Sequence, residues 1–152
     1  MLQIEVDDLT RPPVRRLIAE HLGDMYATSP AESVHALDLE ALRKPDVTFF
    51  TAWQGVTLLG CGALKELNPQ AGELKTMRTA RAARGQGIGA RMLTHLLDEA
   101  AARGYARVSL ETGTQPYFAA ARRLYARHGF VECGPFEGYV EDPHSVFMTR
   151  TL

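Results

Sequence analysis

Arg84, Gly85, Gln86, Gly87, Ile88 and Gly89 crowd three glycines into five residues, directly ahead of a run whose apolar residues recur at helical spacing. A glycine inside a helix costs about 1 kcal/mol relative to alanine, so this density at a helix start needs a reason. Anion binding supplies one. Backbone amides with no side chains in the way can converge on a phosphate at the positive end of the helix dipole. Each hydrogen bond to a charged partner contributes roughly 1.5 to 3 kcal/mol, so a few amides between Gly85 and Ala90 suffice for a pyrophosphate. Charge points the same way: from Lys75 to Leu97 the chain carries five basic residues (Lys75, Arg78, Arg81, Arg84, Arg91) and no acidic one. A solvated basic face is the plain alternative, and the neighbouring glycines favour an anion site over it. Gly85, Gly87 and Ala90 also satisfy G-x-G-x-x-A, with Glu111 roughly twenty residues on, so a dinucleotide site is a rival. A Walker loop is excluded, because no Gly-Lys-Ser/Thr ending follows.

The elements that must carry this loop can be read from periodicity. Leu2 to Val6 alternates as a strand. Val14, Leu17, Ile18, His21, Leu22 and Met25 then mark a helix, with Thr10 as its expected cap and two prolines suited to its first turn. Ser29, Pro30, Ala31 and Glu32 form a capping-box pattern that predicts a second helix over Ala31 to Leu42, stopped by Pro45. Val47 to Trp53 and Val56 to Leu64 read as a hairpin about Gln54 and Gly55, and Glu73 to Ala80 as a third strand after the turn at Asn68, Pro69 and Gly72. Ile88, Met92, Leu93, Leu96, Leu97 and Ala100 make a helical stripe ending at Gly104, followed by a strand from Ala106 to Glu111. A last helix carries Phe118, Ala121, Leu124, Tyr125 and His128 and stops at Gly129. Phe130 to Cys133 and Val146 to Thr149 are closing strands. This order predicts an α/β protein with a mixed, mostly antiparallel sheet of about seven strands and helices on both faces. A Rossmann unit wants parallel strands on both sides of its turn, and the hairpin argues against it.

With those elements in place the chain resembles the GNAT superfamily of N-acetyltransferases. Arg84, Gly87 and Gly89 match the family's cofactor signature of Arg or Gln, two residues, Gly, one residue, Gly or Ala. Leu124, Tyr125, Gly129 and Phe130 match its late "LY, three residues, GF" signature, with Ala121 at the small position before it. The resemblance spans nearly the whole chain and implies acetyl-CoA as co-substrate with no metal. It implies that the strand before the loop is splayed from its neighbour, so that Met77, Arg78 and Thr79 meet the pantetheine arm by main chain. Amides of Gly85, Gln86, Gly87, Ile88, Gly89 and Ala90 would hold the pyrophosphate, beside Arg84. Tyr125 matches the tyrosine that in many members protonates the departing thiolate. Two departures from the family pattern stand out: no proline precedes the loop, and Phe118 stands where many members have asparagine.

Acetyl transfer to an amine needs a neutral nucleophile. A lysine-like amine with pKa about 10.4 is neutral about one part in a thousand at pH 7.4, a cost near 4 kcal/mol, so a general base is worth having. Glu73 at the start of the splayed strand, acting through water, is the favoured candidate. Glu111 at a strand end and His35 on the expected acceptor side follow it. The loop from Gly134 to His144 exceeds ordinary connection lengths and offers Tyr139 and Asp142, with Ser145 just beyond, to line an acceptor pocket. The expected acceptor is a primary amine of a small molecule or peptide. A non-enzymatic acyl-CoA sensor is the alternative.

Composition narrows the rest. At 152 residues, residues 1–152 form one expected domain. Hydrophobic residues make up 45% and charged ones 23%, the balance of a folded chain. The 17 basic and 18 acidic residues nearly cancel, so no global field draws the protein to nucleic acid or an anionic membrane. Cys61 and Cys133 are too few for a disulfide scaffold, and neither a leader nor an apolar span is apparent. The expectation is a cytoplasmic protein without membrane or nucleic-acid partners, and a homodimer stays open.

Overall fold

One seven-stranded open sheet organises the computed structural model of the chain, which describes residues 1–152. The elements run β1 (Gln3–Val6), α1 (Pro12–Thr28), α2 (Leu39–Leu42), β2 (Val47–Gln54), β3 (Thr57–Asn68), β4 (Ala71–Thr79), α3 (Ile88–Ala102), β5 (Arg107–Gly113), α4 (Ala119–Arg127), β6 (Val131–Cys133) and β7 (Ser145–Thr151). In space the strands lie β1-β2-β3-β4-β5-β7-β6, and every neighbouring pair is antiparallel except β4 with β5. The strand count, mixed pairing and helices on both faces agree with the expectation.

Strand alternation divides the core in two. On β2, Phe50 and Ala52 face α3, whose Met92, Leu93, Leu96 and Leu97 pack over Leu64, Leu74, Val108 and Leu110, joined by Tyr125 of α4. Phe49 and Trp53 face the other way and meet Val14, Leu17 and Ile18 of α1 with Leu42. On that face α1 packs over β2 and β3 and holds Arg78 of β4, while Phe136 and Tyr139 of the loop before β7 pack on Phe147. No helix is long and apolar enough to cross a membrane.

Two local expectations fail. The continuous helix over Ala31–Leu42 is instead a 3-10 turn at Ala31–Ser33, a non-helical stretch, and α2. Asp38 is the reason: its carboxylate accepts from the Ala41 amide at 2.9 Å, which starts a new helix there. Ser33 is meanwhile drawn to Asp142, donating at 2.7 Å. Thr10 does not cap α1 either. Its hydroxyl donates to Asp8 at 2.6 Å, and the capping position falls to Arg11 without a side-chain bond.

The decisive irregularity lies in the middle of the sheet. β4 pairs with β5 only from Ala71↔Arg107 to Leu74↔Leu110, then continues to Thr79 against β3 while β5 continues to Gly113 against β7. The two strands separate after Leu74. Just there the β3–β4 register slips between Cys61↔Arg78 and Ala63↔Lys75, and Thr76 adopts φ +54°, a left-handed conformation that is strained for a β-branched residue.

The close approach of β3 and β4 beyond the slip requires Gly60. A Cβ there would sit 2.8 Å from the Arg78 carbonyl oxygen and 3.2 Å from Ile88 Cγ2. Gly60→Ala is therefore expected to destabilise by about 1 to 3 kcal/mol, the usual cost of overpacking. Gly134→Ala meets nothing within 4 Å and should shift stability by no more than about 0.5 kcal/mol. Urea denaturation of both variants, with equal loss in each as the contrary outcome, checks the assignment.

Candidate active site

The separation of β4 from β5 opens a cleft of about 460 Å³ that reaches both faces of the sheet. One end of it is the glycine loop. Gly85 and Gly87 have φ of +79° and +78°, which turn the chain from the β4 exit into α3 with no side chain over the bend. The first helical bond runs from the Arg91 amide to the Gly87 carbonyl at 3.1 Å, and no side chain caps α3. The amides of Ile88, Gly89 and Ala90 thus precede any intrahelical bond. Gly89 serves packing as well, since a Cβ there would lie 3.3 Å from Leu124 of α4. Arg84 is exposed and pairs with no carboxylate, and Gln86 is exposed beside it. A loop of open amides with a free guanidinium fits a pyrophosphate.

The run of five basic residues is not the single anion field that linear charge suggests. Lys75 pairs with Glu73 at 3.3 Å, Arg78 with Asp24 at 2.7 Å, and Arg81 with Glu20 at 2.9 Å. Only Arg84 and Arg91 remain unpaired. The partners of Arg78 and Arg81 come from α1, some fifty residues earlier by the roughly 54-residue separation of Arg78 from Asp24, so no local window reveals them. Met77 turns toward α3, and Thr79 lies 3.7 Å from a Cβ built on Gly89. Arg78 contributes main chain to the cleft, its guanidinium being held by α1.

At the other end, on the face that α1 leaves uncovered, stand the acid–base candidates. Glu73 is 3% exposed. Its Oε2 accepts from the Tyr139 hydroxyl at 2.6 Å and from Lys75 Nζ at 3.3 Å, and Lys75 also donates to the Tyr139 oxygen at 2.8 Å. Tyr139 is wedged among His35, Phe136 and Phe147, with ring centroids 5.0, 5.0 and 5.4 Å away. Burial, then the Glu73 charge and hydrogen bond, raise the Tyr139 pKa far above its usual value. His35 is pushed down by burial and by Lys75. Glu111, half-buried, is lifted to about 7 by burial and further by Glu73 and Asp142, against the opposing pull of Ser145 and Lys75. Tyr125 lines the same cleft. Its pKa is raised by burial and then by the Glu111 charge, so the phenol keeps its proton.

The cleft thus brings together Met77, Arg78, Thr79, the glycine loop, Tyr125, Glu73, Glu111 and His35. Tyr139 stands at its wall, hydrogen-bonded to two of the lining residues. Sequence reasoning missed Lys75 as a partner of Glu73, the ring of Phe136 and Phe147, and the α1 residues His21 and Asp24. Lys75 and Glu73, two apart on a strand, share a face by period alone, which was the one available signal. The fingerprint G-x-G-x-x-A is coincidental: β4 is antiparallel to β3, and its parallel pairing with β5 lasts four residues.

A split parallel pair that ends in an open helix N-terminus, with titratable groups on the opposite face, combines the means to hold an anion with groups able to move a proton. The model of the acetyltransferase (GNAT) family matches residues 14–130, and the chain belongs to that family. The uncharacterized N-acetyltransferase YsnE of Bacillus subtilis is 51% identical over 99% of this chain and 100% of its own. YedL of Escherichia coli, likewise an uncharacterized N-acetyltransferase, is 49% identical over 100% and 96%. An IAA acetyltransferase of Azospirillum brasilense is 44% identical over 87% and 84%. Among solved structures, an acyl-CoA N-acyltransferase from Klebsiella pneumoniae superposes with TM-score 0.80 at 28% identity, covering 100% of this chain and 98% of that one. A Bacillus subtilis acetyltransferase in complex with CoA shares the fold with TM-score 0.71 at 19% identity, over 100% and 99%. The protein is an acyltransferase of that family.

One buried and one half-buried group set opposing pH dependences. His21, 7% exposed, is depressed to about 4 by burial and by Arg78. As pH falls from 6.5 toward 4 the unfolded chain gains this proton and the folded one does not, so stability is lost on acidification. Glu111, raised to about 7, takes its proton first in the folded state, so stability is gained as pH falls from 7 toward 4.5. The two effects offset one another between about pH 4.5 and 6.5. Removing the carboxylate with Glu111→Gln should expose the His21 slope, on the order of 1 kcal/mol lost per pH unit of acidification. Urea titrations of both proteins at pH 5 and 6 test this, and an unchanged slope contradicts it.

Proposed function

We propose that the protein transfers an acetyl group from acetyl-CoA directly to a primary amine of a small molecule or peptide. The observation that carries this reading is the single cleft in which the glycine loop, Tyr125 and Glu111 all open. Acetyl-CoA supplies an activated thioester carbonyl. Met77 to Thr79 present a β4 edge that β5 has left, suited to the amides of a pantetheine arm, and Gly85 to Ala90 with Arg84 suit its pyrophosphate.

Glu111 is the general base in this reading. A carboxylate with pKa about 7 is largely ionised at pH 7.4 and still basic enough to draw a proton from an amine under attack. Glu73, favoured by sequence, already accepts from Tyr139 and Lys75; its part is to fix Tyr139 and hold negative charge near Glu111. Tyr125 donates to the departing thiolate sulfur. Full transfer to a thiolate of pKa about 8.5 is uphill from a phenol raised above its usual value, so the hydroxyl stabilises first as a hydrogen-bond donor. His35 and Tyr139 face the acceptor side, where a neutral imidazole beside an aromatic wall suits an uncharged amine.

Three measurements test the reading. Acetyl-CoA at about a hundred times its Kd should add about 2.7 kcal/mol of stability, seen as a rise in Tm. Gly87→Val, which forces a β-branched residue into φ +78°, should fold and lose that rise. In an amine panel followed by release of CoA thiol, kcat/KM should climb with pH through about 7, and Glu111→Gln should cost about a hundred to ten thousand fold and abolish that limb. Tyr125→Phe should lower kcat by at most that range while leaving acetyl-CoA affinity near the original. Binding without turnover on any amine would favour an acyl-CoA sensor instead.

A further inference from the structure

Near the C-terminal end of α1, Asp24 gathers three side chains, from β4, from the turn that follows it and from the turn before α4. Its Oδ2 accepts from Arg78 Nη2 at 2.7 Å. Arg81 Nη2 donates to both carboxylate oxygens at 3.2 and 3.1 Å. The Tyr117 hydroxyl, from the turn between β5 and α4, reaches Oδ2 at 3.4 Å. One helical turn earlier on the same face, Glu20 lies 2.9 Å from Arg81 Nη1 and 3.6 Å from Arg78 Nη2. The Arg78 side chain is 3% exposed and Arg81 is 59% exposed, so the clasp runs from the sheet interior to the surface.

The position of these arginines gives the clasp its meaning. Arg78 is the next-to-last residue of β4, the strand edge that β5 has left. Arg81 opens the 3-10 turn Arg81–Ala83 that delivers the chain to Arg84 and the glycine loop. One carboxylate therefore ties the strand edge and the approach to the anion loop to a single rigid helix. Thr76, in its left-handed bulge, shifts the register so that Arg78 pairs with Cys61 and Thr79 with Gly60, while the other edge of that segment has no strand partner.

Building on the acyl-CoA reading, we propose that Asp24 is a positioning residue that holds the β4 edge and the glycine loop at the spacing of an intact acyl-CoA, so that its pantetheine and pyrophosphate bind as one unit. A ligand joined through a linker gains from its second contact only when the two protein surfaces match the linker's span. A displacement of about 1 Å between bound parts can cost on the order of a hundredfold in rate. Asp24 touches neither ligand nor reacting atoms and acts through Arg78 and Arg81.

The test separates this coupling from general support of the fold. Wild type, Asp24→Asn and Arg81→Met are assayed with one amine and two donors, acetyl-CoA and S-acetylpantetheine, the second lacking every phosphate. In wild type, acetyl-CoA should exceed S-acetylpantetheine strongly in kcat/KM. Asp24→Asn should reduce that preference about tenfold, through KM for acetyl-CoA, while S-acetylpantetheine changes less than threefold. Arg81→Met, an exposed change that leaves the Arg78–Asp24 pair intact and so keeps the fold, should reduce the preference in the same direction by less. Equal losses with both donors, or an unchanged preference in both variants, overturn the assignment. A wild-type protein to which CoA does not bind in calorimetry overturns the acyl-CoA reading and the assignment with it. CoA binding with an unaltered preference overturns the assignment alone.

Discussion

The parting of β4 and β5 after Leu74↔Leu110 is the constraint on which the rest depends. A strand in mid-sheet normally satisfies its amides and carbonyls on both sides. From Lys75 to Thr79 β4 has β3 on one side and nothing of the sheet on the other. Such a bare edge at the centre of a sheet costs stability unless solvent or a ligand completes it. The protein maintains it with several devices at once: the bulge at Thr76, the tight β3–β4 contact over Gly60, Met77 packed toward α3, and Arg78 drawn to α1. Because β5 keeps its own partner in β7 as far as Gly113, the gap opens without the sheet falling into two.

That geometry also sorts the charges. Leu74 and Leu110 point to the α3 layer, so Glu73 and Glu111, their sequence neighbours, point to the opposite face. Two carboxylates on one half-buried face would repel, and the structure treats them differently. Glu73 is answered by Lys75 and Tyr139. Glu111 is left with little more than a facing serine hydroxyl, and its pKa rises to about 7. A carboxyl group whose hold on its proton is strengthened in a cleft, as at Glu111, is a recurring mark of acid–base sites.

Much of this was legible in the sequence because it is local. The glycine loop, the α3 stripe, the hairpin at Gln54 and Gly55 and the Leu124–Phe130 signature each sit within a short window and lie where that window predicts. What was hidden is non-local or competitive. The helix expected over Ala31–Leu42 gave way because Asp38 makes a better start than Ser29 and because Ser33 finds Asp142, 109 residues away. The apparent basic cluster dissolved because Arg78 and Arg81 find their carboxylates on α1. Glu73 looked free because the tyrosine that engages it lies 66 residues later, in a loop with no periodicity to read.

That loop has a further consequence. Tyr139, Phe136 and Asp142 belong to the stretch after residue 130, outside the segment that the family model matches. Tyr139 nevertheless anchors to Glu73 and Lys75 in the heart of the sheet. The loop therefore backs one side of the cleft from outside that segment, held by the Tyr139 phenol on Glu73 and Lys75 and by Ser33 on Asp142. A change of sequence in that loop would reshape this side of the cleft while leaving the glycine loop at its other end untouched.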